Sequence, residues 1–158
     1  WAFRRSSPPS AMKCFARWCA LPLCLAALAS HAAAPDPELA GCWRATKIVL
    51  TTQDGTTAED SSGRCTMRFG DEQLQSNCMT AQGMTTTTYR YRITRPQVYA
   101  ATMAGSSFRT EMLGSTREYS YQVTGDQLRT VSVPPATAPA APGVTPRVVT
   151  EAARMPCP

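Results

Sequence analysis

The stretch Gly63-Arg64-Cys65-Thr66-Met67-Arg68-Phe69-Gly70-Asp71-Glu72-Gln73-Leu74-Gln75-Ser76-Asn77-Cys78 decides the fold. Along an extended chain Cys65, Met67 and Phe69 point one way, and Arg64, Thr66 and Arg68 point the other. Gly70 to Gln73 carries turn residues. A turn centred between Asp71 and Glu72 sets Phe69 against Leu74, Met67 against Ser76 and Cys65 against Cys78. On the other face Arg68 meets Gln75 and Thr66 meets Asn77. One face is apolar and the other polar, as a half-buried hairpin requires. Directly opposed side chains at a non-hydrogen-bonded pair come within bridging distance, so a Cys65–Cys78 disulfide is expected.

Working outward, runs of the same alternating kind occupy 41–51, 63–69, 73–79, 84–94, 97–103, 107–113, 116–124 and 127–133. Gly, Asp and Pro separate them, and helical periodicity is missing. Gly125-Asp126 fits a two-residue turn that sets Val123 against Leu128, Tyr121 against Thr130, Tyr119 against Ser132 and Gln122 against Arg129. In 84–94, Tyr89, Tyr91 and Ile93 share one face. The expectation is an all-β domain: about eight antiparallel strands in an up-and-down barrel, whose closure removes exposed edges, with a β-sandwich as the alternative. A Pro/Ala-rich tract, 134–146, cannot supply a ladder of donors and reads as an extended loop. A short strand at 147–150 after it would bring Cys157 back toward Cys42.

The first 32 of the 158 residues are read differently. Residues 1–11 form an upstream extension before Met12. Residues 12–32 have the build of a secretory signal peptide: Lys13 and Arg17, an apolar core, then small residues, with the cut after Ala32. The domain then spans 33–158, and its location is periplasmic or secreted. Arg4, Arg5, Lys13 and Arg17 precede the cut, so four of the 16 basic residues leave; 12 stand against 11 acidic ones, and the net charge falls from +5 to +1. No basic patch remains to favour nucleic acid. His31 precedes the cut too, which takes the single histidine, and with it Ser-His-Asp, Cys-His and His-metal chemistry. Past the signal no apolar run reaches the ~18 residues of a membrane span.

Cys14, Cys19 and Cys24 lie in the signal; Cys42, Cys65, Cys78 and Cys157 remain. An even count in an exported chain reads as disulfides. With Cys65–Cys78 set by register, Cys42–Cys157 follows by elimination. Leu39-Ala40-Gly41-Cys42 also matches a bacterial lipobox. However, Pro35-Asp36-Pro37-Glu38 separates it from the apolar segment, and carboxylates do not belong at that membrane depth, so a lipid anchor at Cys42 is the weaker reading.

Gly41-Cys42-Trp43 resembles the Gly-x-Trp on the first strand of lipocalin-like (calycin-type) β-barrel proteins. Thr116-Arg117-Glu118-Tyr119 echoes their Thr-Asp-Tyr motif, offset by one residue. The resemblance implies a small ligand-binding barrel in which an arginine packs over the tryptophan, and Arg129 stands where that arginine belongs; Arg147 and Arg154 compete for the role. Independently of the family, Gly41 permits close backbone approach, and Trp43 is large enough to plug one barrel end.

An eight-stranded barrel is just wide enough to be filled by side chains or to hold one small ligand. Met67, Phe69, Tyr89, Tyr91, Tyr119 and Tyr121 are the candidate ligand contacts, because tyrosine rings with polar tips suit an apolar or amphipathic molecule. The leading function is therefore an exported, non-catalytic binding protein. The alternative is an envelope protein–protein interaction module: an inhibitor, immunity or assembly factor. No catalytic residue, metal site or cofactor is expected. Asp71-Glu72 sits in a turn and Glu59-Asp60 in a polar loop, phosphate-loop and metal-ligand spacings are missing, and the methionines read as core filler rather than copper ligands.

Overall fold

The computed structural model describes residues 35–134 and 146–158. The upstream extension, the signal peptide with its cut, and most of the proline tract (135–145) lie outside the described residues.

Nine strands form: β1 Gly41–Thr51, β2 Thr57–Asp60, β3 Cys65–Phe69, β4 Gln73–Thr80, β5 Gly83–Arg95, β6 Val98–Ser106, β7 Thr116–Thr124, β8 Gln127–Val133 and β9 Arg147–Met155. Neighbours pair antiparallel in the order β2-β1-β3-β4-β5-β6-β7-β8-β9, and β1 also pairs with β9 along its length. That last pairing closes β1 and β3–β9 into an eight-stranded up-and-down barrel rather than a sandwich. β2 is an added strand on the second half of β1, beyond the four residues that pair with β3.

The β3–β4 and β7–β8 hairpins carry the registers that alternation dictates, Phe69 against Leu74 and Val123 against Leu128 included. Cys65 and Cys78 are bonded, with Cα atoms 4.1 Å apart. The neighbouring Met79 N–H donates to Arg64 O, which leaves the cysteines at the closely spaced, non-hydrogen-bonded position. Cys42 is bonded to Cys157, 115 residues away. Its sulfur is thereby committed to the protein rather than to lipid.

Three expectations need correction. The run 107–113 is not a strand: it is a loop with a single 3₁₀ turn at Thr110–Met112, because Phe108 and Leu113 find no partner strand and stay exposed. Glu59-Asp60 is not in a loop but in β2, which is held by pairing with β1 rather than by burial. The closing strand is not four residues but nine, because β9 pairs with β1 and β8 on both edges. β1 takes up one extra residue at Thr46, where its register against β9 slips between Ala45 and Lys47; such a bulge bends the strand around the barrel.

The core sits at one end. Leu39, Trp43, Phe69, Leu74, Tyr91, Tyr99, Ala101, Tyr121, Leu128 and Ala152 form its cluster. Among the described residues, no helix is long and apolar enough to cross a membrane.

Candidate functional site

The two ends of the barrel differ. At the first, β1 begins, β3 ends and the Gly125-Asp126 turn connects β7 to β8. The chain before β1 folds across it. Leu39 and Ala40 N–H groups donate to Asp36 O, and Glu38 N–H donates to the Asp36 carboxylate. Trp43 is fully buried, and its Nε1 donates to Leu39 O at 2.9 Å. Tyr121 donates to Asp36 Oδ2 at 2.5 Å, and Tyr91 donates to Gly70 O at 2.5 Å. Phe69 packs edge-on to both Tyr91 and Tyr99.

The arginine that stacks on Trp43 is Arg154, with its guanidinium 4.1 Å from the ring centroid. It also donates to Ala40 O at 3.0 Å and Glu38 O at 2.7 Å. The expectation for Arg129 is thereby corrected. Leu128 and Thr130 are buried, so strand alternation turns Arg129 to the outside, opposite Glu151. Arg154 follows Val148, Thr150 and Ala152 on the inward phase of β9 and lies in register with Trp43. Gly41 has φ +116°, and a Cβ there would sit 3.1 Å from Arg154 Nη1. Glycine is therefore needed twice at this position, for the backbone and for the guanidinium.

The opposite end is open. It is rimmed by the β1–β2 turn, the β4–β5 turn, the β6–β7 loop, and the termini of β8 and β9. Leu50, Met79, Met84, Phe108 and Leu113, the large apolar residues left exposed among the described residues, are all at this end. Below the rim lie two chambers. The inner one, about 190 Å³, is bounded by Ala45, Ile48, Met67, Ser76, Tyr99 and Thr150, with the Cys65–Cys78 bridge in its wall. The mouth, about 210 Å³, is bounded by Thr87, Met103, Phe108, Arg109, Met112 and Arg117. They meet at Tyr89, Ala101, Tyr119 and Val148. A wider depression of about 740 Å³ shares Arg109, Arg117 and Val148 and flanks Pro134 and Pro146.

The six ligand-contact candidates separate accordingly. Met67, Tyr89 and Tyr119 line the chambers. Phe69, Tyr91 and Tyr121 are packed in the sealed end, and their hydroxyls, where present, are spent on Gly70 and Asp36. Burial pushes the phenols of Tyr89 and Tyr119 up, while Arg117 pulls both back, joined by Arg109 at Tyr89. Burial raises Tyr99 well above its ordinary value; at Tyr121, burial and then the Asp36 carboxylate act the same way.

Sequence reasoning missed Arg117, Arg109, Ala101 and the Pro35–Ala40 crossing. Arg117 was within reach: it shares the inward phase of Tyr119 and Tyr121 on β7. Arg109 belongs to an irregular loop and carries no periodic signal. Among the described residues no group of His, Cys, Asp or Glu is placed to hold a metal ion.

The described strands thus form a closed up-and-down β-barrel that opens on Gly-x-Trp and is sealed by an arginine over that tryptophan, the features in which the chain resembles lipocalin-like proteins. No family model matches the chain, and no curated protein does. Among solved structures it is similar to a lipocalin-like protein from Bacteroides uniformis, at 12% identity and TM-score 0.49, covering 75% of this chain and 99% of that one. It is also similar to an uncharacterized protein from Bacteroides eggerthii, at 10% identity and TM-score 0.47, covering 73% and 98%. The barrel is defined by this chain's own strand pairing.

Proposed function

We propose that the protein is an exported, non-catalytic binding protein that takes a small apolar or amphipathic molecule into the open half of its barrel. The observation that carries this is the asymmetry of the interior: one end is filled and capped, and the other holds two adjoining chambers under an apolar rim. A barrel that needed only stability would fill both ends. The paired cysteines favour an oxidising compartment, periplasmic or extracellular. The signal peptide at 12–32 and the domain from residue 33 belong to the same reading.

Native mass spectrometry of the protein purified from its own envelope tests it. A bound small molecule is expected, and Ala101→Phe, which fills the junction of the chambers, should abolish it. Protein that carries no such mass, or Ala101→Phe protein that carries it equally, defeats the reading. The exposed rim residues Leu50, Met79, Met84, Phe108 and Leu113 favour the second reading, in which the same end contacts an envelope protein.

A further inference from the structure

The charge of the mouth is one-sided. Arg109 and Arg117 both line it, and no Asp or Glu lines either chamber among the described residues. The ion pairs of the described residues use Lys47, Arg95 and Arg154, and neither mouth arginine takes part. Glu118, next to Arg117, lines the wider depression beside the mouth, where it is held by Arg95 at 2.8 Å. Arg109 rests over the Phe108 ring, 5.2 Å from its centroid. Both guanidiniums act on the Tyr89 phenol, which places their field over the junction of the chambers. Met103, Met112 and Phe108 supply apolar surface in the same mouth.

Two arginines without carboxylate partners, beside tyrosine hydroxyls and thioethers, form a receptor for an oxyanion attached to an apolar body. Guanidinium offers paired donors in a planar fork that matches such a head group. With the head at the mouth, the apolar body has the inner chamber of about 190 Å³, which restricts it to a short chain or one ring.

Resting on the binding reading above, we propose that the ligand is a compact amphiphile with a single anionic head, held at the mouth by Arg109 and Arg117 with its apolar part toward Tyr89, Tyr119 and the inner chamber. A neutral amphiphile of equal length lacks the head-group contact, and a cationic one is repelled.

Calorimetric titration of the oxidised full chain with octanoate, octyl phosphate, 1-octanol and octylamine tests this. At least one anion is expected to bind about tenfold or more tighter than 1-octanol, with octylamine weakest. That margin should shrink with added salt, because the mouth is open to solvent. Arg109→Gln and Arg117→Gln should each cut anion affinity several-fold, and the double variant should lose the preference for anions, its thermal melting unchanged because both side chains are exposed. 1-Octanol binding as tightly as both anions, or a preference that survives the double variant, overturns the anionic head while the binding reading stands. Failure of all four probes to bind overturns both.

Discussion

The sealed and open ends of this barrel are built from the same strands but spend their side chains differently. At the sealed end every long group has an internal partner: Trp43 with Leu39 and Arg154, Tyr121 with Asp36, Tyr91 with Gly70. At the open end Leu50, Met79, Met84, Phe108 and Leu113 face solvent, and Arg109 and Arg117 have no carboxylate. Satisfied partners at one end supply stability, while the other end keeps its apolar and cationic groups without internal partners. Each end also has its own disulfide: Cys42–Cys157 ties the sealed end, and Cys65–Cys78 forms part of the chamber wall.

The largest expected effect separates the two bridges. The chain-entropy model assigns about 5 kcal/mol to a bridge spanning 115 residues and about 3 kcal/mol to one spanning 13. Replacing Cys42 and Cys157 by Ser should therefore lower the urea midpoint more than replacing Cys65 and Cys78 by Ser. Equal losses would mean that the short bridge carries stability as well as wall structure, and the division between the ends would weaken.

Next is Trp43→Ala, which empties the plug and strands Arg154. Removing a buried aromatic of this kind costs about 3–5 kcal/mol. Tyr119→Phe removes only a hydroxyl at the junction of the chambers and should cost less than about 1 kcal/mol. Urea denaturation of both variants compares the ends directly; a Tyr119→Phe loss as large as that of Trp43→Ala would place the structural weight in the chambers.

What the sequence revealed of this arrangement follows from where side chains alternate cleanly. Two hairpins were legible residue by residue, because Cys65, Met67 and Phe69, or Tyr119, Tyr121 and Val123, leave a single register that keeps one face apolar. β2 was hidden because Thr57-Ala58-Glu59-Asp60 has no buried face to reveal it. Most of β9 was hidden because Ala152 and Ala153 have weak strand preference and Arg154 on the inward phase looks like a break. Arg154 is inward only because Trp43 gives its charge a ring to lie on. At the site, the inward tyrosines could be read from period two, but which of them face a void depends on how the ends are capped. That is set by contacts as distant as Tyr121 to Asp36. The loop arginine at 109 reaches the mouth only through an irregular connection, for which no periodic pattern exists.

The smallest expected effect concerns how the tyrosines leave the neutral state in alkali. All five tyrosines of the chain are raised above the ordinary value of 10.0. A raised folded value favours the protonated phenol, so the associated stability is intact below pH 10 and is lost as pH climbs through the folded values. The ends should not lose it together. Tyr89 and Tyr119 lie where Arg117 draws their values back toward normal, whereas Tyr99 is pushed well up by burial and Tyr121 by burial and then Asp36. Tyrosinate absorbance followed alongside circular dichroism should therefore show a first step above pH 10 with the β signal retained. The rest should ionise only as that signal collapses. Arg117→Gln should move the first step to higher pH and leave the second in place, because Arg117 acts on Tyr89 and Tyr119 but not on Tyr99 or Tyr121. A single step with the strands intact would show that the sealed end admits hydroxide as freely as the mouth, and the contrast between the two ends would be gone.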